Sequence, residues 1–255
     1  MHNIKLTIQY DGTDYAGWQV QPGETTVQGV LEELISRIAP DRTALTAAGR
    51  TDSGVHAIEQ VASFGTSSLH SPSTIQRSLN AGLPGSIRII DAAYCDKTFH
   101  SRYDAVSKSY KYFIFIGDIA SPFVSRYAWR LNYKLGLKGM RLAASHLTGK
   151  MDFSSFRASG CGAKSTVREV ISIDIKRVRS TGFMSFKIKG PFIEFTVEAN
   201  AFLRHMVRNI VGTLVEVGRG RLGPEDMKTI IANGDRSQAG PTAPARGLFL
   251  YKVHY

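Results

Sequence analysis

The stretch Ala47-Ala48-Gly49-Arg50-Thr51-Asp52-Ser53-Gly54 sets an arginine and an aspartate two residues apart between glycines, with His56 two residues further on. A guanidinium and a carboxylate projecting from one tight turn suit an anion-bearing substrate. The cation grips phosphate or displaces a base, and the carboxylate acts on what is held. Gly49 and Gly54 permit positive φ or close approach of a ligand to the backbone. An aspartate in an isolated Asp-Ser-Gly accepts backbone N–H bonds as an Asx-turn; Arg50 is what points beyond that. His56 reads as a structural histidine. Other chemistries lack their signatures. The sequence has no phosphate loop, no Gly-x-Gly-x-x-Gly after the first strand, no Gly-x-Ser-x-Gly elbow and no His-x-x-x-His pair. Two cysteines, Cys95 and Cys161, make neither a disulfide framework nor a zinc site and fit a reducing cytoplasm.

Such a turn needs a stiff frame, and the pattern supplies one. Residues 4–10 alternate as a half-buried strand. Residues 25–40 follow as a helix, with Thr25 and Gln28 spaced as a capping box and Val27, Val30, Leu31, Leu34, Ile35 and Ile38 on one face. Strands at 43–48 and 60–66 flank the turn. Ser71 and Pro72 open a second helix, and 87–94 is a last strand. The order β-α-β-β-α-β is the split βαβ pattern of ferredoxin-like domains. The second half repeats it with additions: a strand at 109–117, a helix near 136–148, strands at 167–178, 184–189 and 192–199, a helix from 202 burying Leu203, Met206, Val207, Ile210, Val211 and Leu214, and a closing strand at 247–255. The fold class is therefore α+β, in two ferredoxin-like halves.

Charge separates the halves. The net charge is +11, but residues 1–104 carry −3 and the remainder +14. Such asymmetry points to a polyanionic partner, nucleic acid first. No apolar run approaches the roughly 20 residues of a membrane span, and the alternating N-terminus is unlike a signal peptide. A cytoplasmic protein without a membrane partner is expected.

The quoted turn extended to Gly49–Ala57, followed by Gln60-Val61-Ala62-Ser63-Phe64, resembles the signature of the TruA-type tRNA pseudouridine synthase family. Segments 10–19, 26–33, 99–112, 154–160, 198–212 and 247–253 resemble further family segments in the same order, so the resemblance covers essentially the whole chain. It implies that Asp52 is the nucleophile or covalent catalyst, that Tyr110 stacks on the target uracil and is a candidate proton acceptor, and that Arg208 pairs with Asp52. It also implies that Arg50 helps push the base out, that Leu248 walls the pocket, and that Arg102 and Arg157 contact RNA backbone. The implied substrate is uridine at positions 38, 39 and 40 of the tRNA anticodon stem-loop. The implied assembly is a homodimer needing no metal and no cofactor. The domains read as 1–104, carrying the turn, and 105–255, a basic domain completing a catalytic cleft. A non-catalytic two-domain RNA-binding protein is the alternative from a different class.

Overall fold

The computed structural model describes residues 1–183 and 186–255. They form two compact units, Met1–Lys108 with Phe249–Tyr255, and Ser109–Leu248. In chain order the first holds β1 (His2–Tyr10), α1 (Val27–Ile38), β2 (Thr46–Ala47), β3 (His56–Thr66), α2 (Pro72–Gly82) and β4 (Ile87–Cys95). The sheet order is β4-β1-β3, with β2 on the other side of β3, and every one of these pairings is antiparallel. That is the ferredoxin-like arrangement the element order implies. Along β1 the alternation is obeyed: Ile4, Leu6, Ile8 and Tyr10 are buried. Each such aliphatic side chain contributes about 1.5–3 kcal/mol by leaving water.

Local chemistry sets the helix boundaries, with one correction. Ser71 caps α2 by accepting the Thr74 N–H, and Pro72 takes the first helical position. For α1 the cap is Thr26, whose hydroxyl accepts from Gly29 N–H, and not Thr25. Gln28 makes no capping box; its side-chain amide donates to Glu32 and to the Leu45 carbonyl. Of the expected face Val27, Leu31 and Ile35 are fully buried, while Val30, Leu34 and Ile38 are half-buried. The strand expected at 43–48 shrinks to Thr46–Ala47, and the one at 60–66 begins at His56, directly after the turn.

The second unit comprises most of β5 (Ser107–Ile116), then α3 (Pro122–Ser125), β6 (Trp129–Leu131), α4 (Leu137–Ser145), β7 (Gly149–Asp152), β8 (Val167–Phe183), β9 (Phe186–Ala199), α5 (Met206–Gly218) and α6 (Asp226–Asn233). Its sheet runs β5-β9-β8-β7, with β6 parallel to β5. The strands expected at 184–189 and 192–199 are one strand, β9; residues 184 and 185 lie outside the described residues. Pro191 fails to break it because the register changes there: Val178 faces Phe192, but Ser180 faces Lys189, so β9 carries one extra residue in a bulge.

Helix α5 is buried almost all round, Asn209, Gly212 and Thr213 included. The turn-rich stretch 235–247 packs on it. A Cβ on Gly212 would lie 1.7 Å from the Pro241 carbonyl oxygen, so helix and loop touch backbone to backbone. Thr213 Oγ1 accepts the Gly240 N–H, and Asn209 Oδ1 accepts from Thr242 Oγ1. The closing strand, β10 (Leu248–His254), differs from its expected place in a 105–255 domain. Phe249 and Leu250 pair in parallel with His56 and Ala57 of β3, and Val106 N–H donates to the His254 carbonyl, so residues 249–255 group with the first unit.

The capping assignment is testable by urea denaturation. Thr26→Ala removes the bond to Gly29 and should cost about 1 kcal/mol. Thr25→Ala should stay within about 0.5 kcal/mol of wild type, as surface changes do.

Candidate active site

Residues 15–18 are the support on which the Asp52 turn hangs. The first N–H groups of α1, which have no partner inside the helix, are spent on this segment: Val27 N–H donates to the Gly17 carbonyl and Gln28 N–H to the Trp18 carbonyl. On its other side the same segment holds the turn. Trp18 N–H donates to the Thr51 carbonyl at 3.0 Å, and Gly54 N–H and Ser53 Oγ both donate to the Tyr15 carbonyl. Val55 N–H closes the turn onto the Asp52 carbonyl. The approach is close enough to exclude side chains. A Cβ on Gly17, which sits at φ +102°, would lie 2.7 Å from the Thr51 oxygen, and one on Gly12 would lie 2.0 Å from the Val55 oxygen.

Buried side chains complete the frame. The Tyr10 hydroxyl hydrogen-bonds Thr51 Oγ1 at 2.8 Å; burial pushes this phenol well above its ordinary pKa, so it keeps its proton. Gln60, fully buried on β3, donates to the Gly49 carbonyl at 2.8 Å. Of the two glycines singled out, Gly54 has positive φ (+76°), whereas Gly49 is not among the positive-φ residues described. His56 is 1% exposed and stacks on Phe249 with ring centroids 4.7 Å apart. Its Nδ1 lies 3.1 Å from both Gly12 N and Asp11 Oδ1. It cannot accept from the amide and donate to the carboxylate at once. We assign the amide bond, because a buried backbone donor needs a partner, while Asp11 Oδ1 already accepts from Thr13 N–H and Oγ1. The structural reading of His56 fits this setting.

Within the frame Asp52 is half-buried and Arg50 is exposed. The structure thus brings these two expected residues onto one rigid turn. Arg102 is exposed on the segment after β4, with its guanidinium 5.6 Å from the Tyr103 ring centroid. Ser101 Oγ ties that segment to the Thr46 carbonyl of β2, the strand that leads into the turn.

In the second unit Tyr110 is buried on β5 and meets Phe202 edge-on at 4.8 Å between centroids. Arg208, half-buried in the first turn of α5, donates from Nε to the Ala243 carbonyl, and Ala243 N–H donates back to the Arg208 carbonyl. Tyr112 OH fixes the same loop through the Pro244 carbonyl; burial raises this phenol's pKa against the opposing charges of Arg208 and Arg246. Leu248 is buried at the start of β10. Arg157 is exposed and lines a cavity of about 630 Å³ with Arg204 and Arg236, which neither Tyr110, Arg208 nor Leu248 lines. Sequence reasoning assigned no role to Tyr10, Tyr15, Trp18, Gln60, Phe202, Arg204 or Arg236. For Gly12 and Gly17 the available signal was two glycines closely flanking aromatics in Tyr10–Trp18. Among the described residues no group of three or more His, Cys, Asp or Glu side chains could hold a metal ion, and no helix is long and apolar enough to cross a membrane.

A carboxylate and a guanidinium share a turn braced by a ferredoxin-like sheet, in a chain whose other α+β half is strongly cationic; that combination suits a polyanionic substrate. The comparisons specify which. Residues 6–104 and 143–255 match the model of the tRNA pseudouridine synthase family. The chain is 43% identical to tRNA pseudouridine synthase A of Geobacter sp. (strain M21), covering 100% of this chain and 99% of that protein. Identity is 44% with the protein of the same name from Pelobacter propionicus, with both chains fully covered. For that of Syntrophotalea carbinolica it is 43%, over all of this chain and 97% of the relative. The chain belongs to the tRNA pseudouridine synthase family, a family of isomerases.

The backbone contact under the turn can be tested with two alanines. Gly17→Ala and Gly23→Ala both place a side chain at positive φ, but only Gly17 faces the Thr51–Ser53 backbone; Gly23 faces open space. The overpacking at Gly17 should add about 1–3 kcal/mol of destabilisation over Gly23→Ala in urea denaturation.

Proposed function

We propose that this protein isomerises uridine to pseudouridine in the tRNA anticodon stem-loop, at positions 38, 39 and 40, with Asp52 as the catalytic carboxylate. The full-length similarity to proteins named tRNA pseudouridine synthase A carries the reading. The braced position of Asp52 in the matching segment supports it.

The reaction breaks the N1–C1′ bond of uridine, turns the base and joins C5 to C1′; the hydrogen on C5 is lost to solvent and N1 gains one. A base in a stem must first be unstacked, at a cost of about a few kcal/mol. Phosphate contacts from the basic half offset that cost and set register. The Asp52 carboxylate acts by one of two routes. It adds covalently to the nucleoside, as a retaining glycosidase carboxylate adds at an anomeric carbon, or it takes a ribose proton and the sugar passes through a glycal. Both use the Asp52 carboxylate, and Arg208 is assigned to pair with it and orient it. Tyr110 stacks on the uracil, Leu248 supplies an apolar wall, Arg50 displaces the base, and Arg102 and Arg157 hold backbone. The base stays bound throughout, so the chemistry calls for no cofactor. The active form is a homodimer in the cytoplasm, and a monomer by light scattering at micromolar concentration would count against that assembly.

Tritium release from tRNA labelled at C5 of uridine tests the activity directly. Wild type should release tritium and Asp52→Asn should not, while both bind tRNA. Release by both would make Asp52 a structural residue. Binding without release by wild type would leave the non-catalytic RNA-binding reading.

A further inference from the structure

The cavity of about 630 Å³ in the second unit is built from three separate stretches of chain: the segment after β7, the entry to α5, and the loop that leaves α6. Its lining includes three arginines, Arg157, Arg204 and Arg236, together with His205, Asn209 and Thr242, and contains no carboxylate. The arginines are differently held. Arg236 is clamped in place: Nη1 donates to the Ala239 and Gly240 carbonyls, and Nη2 to Asn209 Oδ1 and Thr242 Oγ1. Asn209 is itself fixed, fully buried, by donating from Nδ2 to the Phe156 carbonyl. Burial disfavours the charge on Arg236, and an anion in the cavity would offset that penalty. Arg157 and Arg204 are exposed at the rim, and neither makes a side-chain hydrogen bond or ion pair among the described residues. Asp152, whose carboxyl is held low first by a hydrogen bond from Thr166 and in the least part by the Arg157 charge, is exposed and outside the lining.

Two guanidiniums without side-chain partners share this lining with a third that is immobilised, and such a set matches a tetrahedral anion whose oxygens accept from several directions. The cavity lacks Phe, Tyr and Trp, so it offers no platform for stacking a base. We propose that this cavity is a phosphate-binding subsite that grips the backbone of the substrate RNA irrespective of sequence. Arg204 and Arg157 supply the contacts and Arg236 is the fixed floor. The proposal rests on the reading that the substrate is RNA, and assigns to that RNA a second point of attachment that uses neither Tyr110 nor Arg208.

The test measures tRNA affinity of the full chain against salt concentration, alongside tritium release, for wild type, Arg204→Gln, Arg157→Gln and Arg204→Lys. Each Gln variant should weaken binding similarly on tRNAs of different sequence and lower the slope of log K against log salt by about one unit, as loss of a phosphate contact does. Arg204→Lys should recover most of the slope because it keeps the charge. If both Gln variants keep wild-type affinity and slope while folding normally, the subsite is overturned, whatever the tritium assay shows. Recovery by neither charge nor size at position 204 would likewise make that residue structural and overturn its assignment. If wild type binds tRNA without releasing tritium, the isomerase reading fails, and the salt slopes still decide the subsite. If wild type binds no RNA, both fail.

Discussion

Residues 12–18 lie against residues 51–55 with backbone facing backbone, and the conformation of the Asp52 turn depends on that contact. Two glycines make it possible, since a Cβ at either would collide with a carbonyl of the turn. The first N–H groups of α1 hold the supporting segment in place. The chain of dependence runs from a helix terminus that needs acceptors, through the Gly17 and Trp18 carbonyls, to the Thr51 carbonyl one residue before the carboxylate. A site carried on a loop gains precision in this way, by borrowing rigidity from elements on both sides. Tyr10, anchored in β1, adds a side-chain bond to Thr51 and so couples the turn to the sheet.

The second unit solves a similar problem with a different device. Helix α5 carries buried Asn209 and Thr213, groups that would be costly without partners. The loop 235–247 donates to both side chains, while Asn209 Nδ2 donates to the Phe156 carbonyl and Thr213 Oγ1 to the Asn209 carbonyl. Arg208 and Ala243 exchange hydrogen bonds in the same seam. The position of Arg208 therefore follows from the packing of a long loop on a helix. A change in the loop's path would move that guanidinium as surely as a change in the helix itself.

Much of this was legible in the residues. The alternation of β1 and the Ser71–Pro72 start of α2 carry local signals strong enough to survive tertiary context, and so does the glycine-bracketed turn with its arginine and aspartate. The βαββαβ order followed from them. What the pattern could not show is equally specific. Thr25 and Thr26 are chemically identical candidates, and only the path of residues 16–18 selects the second as the cap. Pro191 reads as a strand breaker until a bulge absorbs it. The support of the turn is backbone on backbone, which leaves no mark in sequence except a missing side chain at Gly12 and Gly17. Arg204 and Arg236 lie far apart along the chain and acquire meaning only where three segments converge. Family resemblance pointed to candidate site residues, whereas periodicity pointed to the frame; neither revealed what holds the one to the other.

The parallel pairing of β10 with the start of β3 has a consequence for how the protein is made. Strand β3 emerges from the ribosome about 180 residues before its partner, which at about 5–20 residues per second is a delay of roughly 10–40 s. Until residues 249–255 arrive, the His56 end of β3, next to the Asp52 turn, presents unpaired backbone groups to whatever else is nearby. The sheet beside the Asp52 turn is thus completed last, although the turn itself is synthesised early. A nascent chain stalled anywhere in the second unit would carry the whole Gly49–Gly54 turn and lack the strand that closes the sheet beside it.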